Sequence, residues 1–526
     1  MRVLRSAILA AVLAAQLGAV TAHARADDAA LYAPLLDGIE APLAAELDDV
    51  LPRYEIAATL AAATETDPAR LSGTVALDYV NTTGEVQKEL DLRLYPNNPQ
   101  YGDGGMTIDG LTVDGRAADG ILGVDDTLLT VALDAPLADG DRVAVTADFQ
   151  STIPTDPARG YGMFKYDSSL ETYALAHWFP MLAGIDPDGA WLTDPLSEIG
   201  DPVFSNAALF DVELDAPADM VVVTSGGAVP GEDEAEIGPD DRTVHAFTSG
   251  PSRDFVMAAS PRIEAVEERV GETTVRSWAV DGSEAGNRQV LTAAAQSLAV
   301  YGRLYGEYLY DELDLVQVAL GNGAGGVEFS GILFIGADYY DDPDVAGEGG
   351  FLEFVVAHEV GHQWWYGVVG NDQYAHAFMD EALTNDLTTV YLAEQYGARA
   401  GRDAVNRYLK RGYFELLFGG RDEVVDQPTD DFPSASSYGT IVYGKGALGF
   451  GAIRAEIGDD AFFGALGAYY ADLAFSVATP DDLLAAFETA SGRQLDELWR
   501  HWFQAAEGDQ DYDATDLADL LIEIGT

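Results

Sequence analysis

Residues 351–367 read FLEFVVAHEVGHQWWYG, and the rest of the chain is read outward from them. Apolar residues on both sides of His358-Glu359-Val360-Gly361-His362 predict a buried helix that ends near Gly367 and Gly370-Asn371-Asp372. Side chains four apart on a helix lie one above the other, so both imidazoles can reach a single metal ion. Glu359 is turned about 100° from His358 and can contact a water on that metal without ligating. Gly361 lowers helix propensity, but it lets another backbone come close. The five residues alone also fit two histidines packed in a core, so the wider sequence has to decide.

At 526 residues, with 48% hydrophobic and 10% aromatic content, the chain suits two to four globular domains. Its 28 basic residues, only four of them lysine, face 89 acidic ones, for a net charge of −61. Such a surface repels nucleic acid and anionic membranes. Solubility in a salty medium explains it better than attraction of cationic substrates. There is no cysteine, which excludes disulfides, a thiol nucleophile, thiolate zinc sites and a lipid-modified cysteine anchor.

Residues 1–26 have the layout of a signal peptide. Arg2 and Arg5 precede an apolar stretch from Ala7 to Val20, and Ala24-Arg25-Ala26 has the small-x-small form of a cleavage site, with Ala22-His23-Ala24 as a second choice. An uncleaved anchor stays open, although the stretch is short for a span. No other stretch reads as membrane-spanning, so a periplasmic or extracellular protein without a membrane span after cleavage is expected.

Residues 27–54 form a lead-in. From 55 to 275, short alternating runs such as TVALDYV, KELDLRLYP and DRVAVTADF are cut by Asp-Gly, Asn-Asn and Pro turns, which predicts an all-β, sandwich-like domain. The segment His177-Trp178-Phe179-Pro180-Met181-Leu182 within it reads as core between sheets more than as a substrate loop. After Gly282 the period changes to that of a mainly helical α+β domain, 276–505. A helix is expected from Asn287 to about Tyr310, a strand at LDLVQVAL and another from Val327 to Ile335. Gly321 to Gly326 is glycine-rich but has no Gly-Lys-Ser/Thr, so it is not a phosphate cradle. Helices are expected near 380–396, 403–417, 444–457, 459–472, 479–490 and 493–504, with an acidic tail from 506 to 526.

A catalytic zinc takes three protein ligands and keeps one position open. His358 and His362 supply two. Glu381, at the start of the next helix with eighteen residues between it and His362, can supply the third if the two helices pack antiparallel. Its plainer reading is a first-turn acid facing the helix dipole. His376, between the two helices, reads as a surface residue, and Asp386 or Asn385 could orient a ligating histidine.

HEVGHQWWYG, the eighteen-residue gap and DEALT resemble the gluzincin zinc aminopeptidases of the aminopeptidase N and leukotriene hydrolase group. Gly325-Gly326-Val327-Glu328-Phe329 resembles that family's GAMEN-type motif, which implies that Glu328 grips a substrate's free amino terminus beside Gly325 and Gly326. Phe329 stands where the motif has asparagine. Tyr438-x4-Tyr443-Gly-Lys-Gly-Ala resembles the family's tyrosine motif and implies that Tyr443 stabilises the oxyanion. The resemblance covers about residues 55–505. It implies a thermolysin-like catalytic domain, one zinc ion on His358, His362 and Glu381, Glu359 as general base, and peptides with a free N-terminus as substrates. Only 83 residues follow Tyr443, so the helical cap of longer members is expected to be missing and the cleft open. An endopeptidase with the same zinc site and a non-catalytic peptidase-fold protein are the alternatives.

Overall fold

The computed structural model describes residues 28–523, apart from 65, 158–159, 201–202, 230–239, 322 and 341–348. The expected signal peptide lies outside the described residues. The lead-in forms two short helices, Asp28–Leu31 and Glu40–Leu47. It is tied to the second half of the chain: Tyr32 is fully buried, and the Leu36 N–H donates to the Leu309 carbonyl at 2.9 Å.

Strand signals between 53 and 260 resolve into three sheets. The largest has eight strands, and its one parallel pair joins Arg53–Ala61 to Ala208–Pro217. Strand Arg142–Thr152 shows why it is amphipathic. Val143, Val145, Ala147 and Phe149 alternate inward while their neighbours meet solvent, so a two-residue period buries one face. Two four-stranded sheets complete the β region, as the alternating pattern predicts. The 177–182 segment is core: Trp178 and Phe179 are fully buried, and Trp178 donates its indole N–H to the Phe255 carbonyl at 2.9 Å.

The second half is built on a five-stranded sheet. Along it we label β1 (Ile263–Val270), β2 (Thr273–Val280), α1 (Glu284–Tyr305), β3 (Glu312–Val318), β4 (Gly326–Phe329), β5 (Ile332–Gly336), α2 (Phe351–Gly361) and α3 (Glu381–Tyr396). The order is β1-β2-β3-β5-β4. The division expected at 275/276 therefore falls inside β2, which pairs with β1 on one side and β3 on the other; we place it near Arg262. Periodicity marks where helix replaces strand, but not which sheet a strand joins.

The single strand expected over 327–335 is instead an antiparallel hairpin that turns at Ser330-Gly331, where Gly331 has φ +75°. One face of this sheet supplies Val316, Phe329, Ile332 and Phe334 to the core of the β region. The other supplies Leu313, Leu315, Leu333 and Ile335 to the core under the helices. Helix α2 carries apolar residues around its circumference and is buried, with Glu353, His358 and Glu359 buried too.

Two expected helices contain wider turns. The 403–417 region has a π-helical turn at Val405–Lys410, and the helix Ala447–Ile457 is preceded by another at Ile441–Gly446. Within the acidic tail, Ala514–Glu523 is a helix with Leu520 buried. Among the described residues no helix is long and apolar enough to cross a membrane.

Candidate functional site

His358 lies inside α2 and His362 caps its end, which puts the two rings on one face with their Nε2 atoms 3.0 Å apart. Glu381 opens α3. Its Oε2 lies 3.0 Å from Nε2 of His358 and 3.3 Å from Nε2 of His362. The helix start is set by Asp380, whose carboxylate accepts the Glu381 N–H at 2.9 Å. Gly361 is the contact point of the two helices. A Cβ there would lie 2.7 Å from the Thr384 methyl group, so it is a side chain of α3, not a backbone, that comes close.

These three groups are buried, with donor atoms within 4.8 Å of one another. The outer nitrogen of His362, Nδ1, lies 2.9 Å from the Trp365 carbonyl, which turns Nε2 toward Glu381. Burial opposes charge on Glu381, yet hydrogen bonds from His358 and His362 hold its carboxyl well below the usual range. Burial also opposes a proton on His362, but Glu328, Glu381 and Glu359 together draw its affinity well above that of a free imidazole. Two imidazoles set among surplus negative charge fit a divalent cation, which would displace the proton held on His362.

Glu359 faces the other way, within 4.8 Å of His362 and Glu328 through their ligand atoms. Strand β4 runs along α2, and alternation turns Gly326 and Glu328 toward the helix while Val327 and Phe329 enter the β-region core. Phe329 packs edge-on against His177 and Phe334 with centroids 5.8 and 5.2 Å away, so the residue replacing asparagine sits at the domain contact. Glycine is required at 325 and 326. A Cβ on Gly325 would meet Val355 at 2.7 Å, and one on Gly326 would lie 2.6 Å from Glu359 Oε1. Gly326→Ala is therefore expected to displace the Glu359 carboxylate and cut turnover at least ~10-fold. Unchanged turnover with a normal melting temperature would show that Glu359 has room to move.

Tyr443 donates its hydroxyl to Glu381 Oε1 at 2.5 Å, and its ring lies 5.8 Å from that of His358. Tyr438 braces it edge-on at 5.8 Å and lies against Gly200 of the β region, where a Cβ would meet its hydroxyl at 2.7 Å. Together these groups line a cleft of about 280 Å³ whose remaining walls are Tyr161, Ala324, Phe351, Phe354 and Val355. Every residue singled out from the sequence for metal, acid–base or substrate contact borders this cleft except His362, which lies beneath it.

Gln373 has no counterpart among the sequence expectations. Its amide nitrogen donates to Glu328 Oε1 at 3.2 Å and to Asp380 Oδ2 at 2.9 Å, tying the edge strand to the cap of α3. A lone glutamine in a loop has no spacing that could announce this. Asp380 was legible only as a helix start. His376 stays out of the metal cluster and binds Asp426 Oδ1 at 2.6 Å. Burial lowers the proton affinity of His358 against the opposing pull of Glu381 and Asn385, and Asn385 donates Nδ2 to the Tyr443 carbonyl at 2.7 Å.

Asp386 takes no part in the site. It is buried, its Oδ2 has no hydrogen-bond partner among the described residues, and burial lifts its pKa to about 7 against the pull of Arg454. Well below pH 4, the group is protonated in both folded and unfolded chains. As pH rises toward 7 the unfolded chain ionises first, so stability falls, and above 7 the loss is constant. Asp386→Asn is expected to stabilise the protein at pH 8 by ~1–3 kcal/mol and to do little at pH 4. Equal melting shifts at both pH values would contradict this.

The fold and the His-x3-His-x18-Glu donor set are those that the resemblance to the gluzincin class implies. Residues 290–502 match the peptidase family M1 domain, a stretch that holds the whole donor set together with Glu328 and Tyr443. Aminopeptidase M1-C of Oryza sativa subsp. japonica is 23% identical over 389 residues, covering 72% of this chain and 42% of that protein. Aminopeptidase N of Lactobacillus helveticus is 26% identical over 161 residues, 28% of this chain and 18% of its own length. The chain thus spans less than half the length of these relatives. Among solved structures, the M1 zinc metallopeptidase of Deinococcus radiodurans superposes with a TM-score of 0.59 at 18% identity, covering 87% of this chain and 94% of that one. A mutant of it bound to a Tyr-Ser-Ala substrate gives 0.62 at 18% identity, covering 86% and 93%.

Proposed function

We propose that the protein is an exported zinc aminopeptidase that removes N-terminal residues from peptides. The observation that carries this reading is a second carboxylate, Glu328, placed beside Glu359 and His362 at the wall of the metal cleft. A carboxylate held there suits a substrate ammonium, and it limits how far the chain can extend before the scissile bond. His358, His362 and Glu381 would hold the ion. When bound, zinc polarises the scissile carbonyl and lowers the pKa of water toward ~7.

Glu359 takes the proton of the attacking water and passes it to the leaving amine. Tyr443, already beside Glu381, turns its hydroxyl to the oxyanion, a contact worth roughly 2.7–4 kcal/mol. Tyr438 keeps that ring in place. Export rests on the sequence of residues 1–26.

The test uses the chain from Asp27, loaded with zinc, in low and high salt. It compares aminoacyl amides bearing a free amine with their N-acetylated twins. Cleavage of the free-amine set alone is expected. Cleavage of both sets would make the protein an endopeptidase, and cleavage of neither with zinc bound would leave a binding protein.

A further inference from the structure

We propose that Lys445 is a positioning residue: its buried ion pair with Asp422 locks the π-helical turn Ile441–Gly446 and so keeps Tyr443 aimed at Glu381. This rests on the reading of Tyr443 as the oxyanion donor. Lys445 is 1% exposed, one of only four lysines in a chain with 89 acidic residues. A lysine is rarely buried unless fully partnered. Here all three ammonium protons have acceptors: Asp422 Oδ1 at 3.0 Å, the Glu423 carbonyl at 2.6 Å and the Ala505 carbonyl at 2.7 Å.

Asp422 is fixed in turn. Its Oδ1 accepts the Tyr413 hydroxyl at 3.2 Å and its Oδ2 accepts the Gly508 N–H at 2.9 Å. The anchor thus belongs to the segments around 422 and 505–508, on the side of the turn away from the cleft.

Tyr443 lies two residues earlier on the same turn. A π-helical turn is wider than an α-helical one and needs outside support, and such turns concentrate at functional sites. Its other contacts leave it little freedom. A Cβ on Gly444 would come 3.0 Å from the Leu409 carbonyl in the second π-helical turn. One on Gly446 would come 2.7 Å from the Ala382 methyl, next to Glu381. Asn385 holds the Tyr443 carbonyl from α3. Glycine contacts permit close approach but set no rotation; the directional constraint on the far side is Lys445.

The experiment measures kcat and KM for wild type, Tyr443→Phe, the pair Lys445→Met/Asp422→Asn, and the triple variant, all zinc-loaded. Replacing both charges leaves no orphaned ion, so the fold is retained. The paired change is expected to lower kcat about 10- to 100-fold at nearly constant KM and zinc content, short of the roughly 10²–10³-fold that loss of an oxyanion donor costs. In the Tyr443→Phe background it should cost less than about twofold, because the residue it acts through is already silent. An equal loss in both backgrounds overturns the proposal while leaving the peptidase reading intact. Wild-type turnover of Tyr443→Phe removes the oxyanion role and the proposal with it. A crystal structure of the paired variant tests the same point without relying on activity: Tyr443 still on Glu381 at its 2.5 Å contact would overturn it.

Discussion

Glu359→Gln is expected to lower turnover by about 10³–10⁴-fold while zinc stays bound, the upper part of the range for removing a general base. The substitution keeps shape and removes only the capacity to take a proton. It should leave the metal in place because the donor set of His358, His362 and Glu381 is complete without Glu359. It should leave the geometry in place because Gly326 gives the side chain a fitted seat that an amide fills equally well. Removing a negative charge near His362 weakens the local pull on a cation, so zinc affinity should drop modestly rather than collapse. Metal content by elemental analysis and kcat on a free-amine substrate are the two readouts. Turnover within tenfold of wild type, at full metal occupancy, would remove Glu359 as the base.

How much of this site was legible follows from which contacts are local in sequence. The two histidines sit on one helix face because of a fixed period, so five residues reveal them. Glu381 needed one further step, the antiparallel packing of α2 on α3, which an eighteen-residue connection permits without demanding. Glu328 stands out only through the resemblance of its glycine-rich surroundings to the family's motif, and the strand expected around it is a hairpin. Only the turn at Ser330-Gly331 brings β4 to the edge where alternation points Glu328 at the cleft.

Two of the supports were not legible. Gln373, which holds Glu328 and Asp380 at once, and Lys445, which pairs with Asp422, act between segments far apart in the chain. Each alone has the look of an ordinary polar surface residue. The β region reads well for the same reason the histidines do, since its two-residue period is local. Its end did not, because β2 alternates as the β-region strands do and differs only in the partners it pairs with.

Glu328→Ala should act selectively, and that selectivity is what separates an amine anchor from a structural acid. Its neighbours Val327 and Phe329 carry the packing of β4 into the β-region core, so truncating Glu328 removes a side chain that borders the cleft and leaves the core untouched. A desolvated pair between carboxylate and ammonium, broken from one side, costs roughly 3–5 kcal/mol. The expected loss is therefore at least ~100-fold in kcat/KM for free-amine substrates. N-acetylated peptides carry no ammonium, and whatever slow cleavage they undergo should be unchanged or rise, because a negative charge has left their path. Glu328→Gln should fall between the two, since it keeps the contact with Gln373 and loses the charge. If blocked and free peptides lose activity in the same proportion, Glu328 is holding the strand and not the substrate, and the cleft is then an endopeptidase cleft in which the free amine has no designated partner.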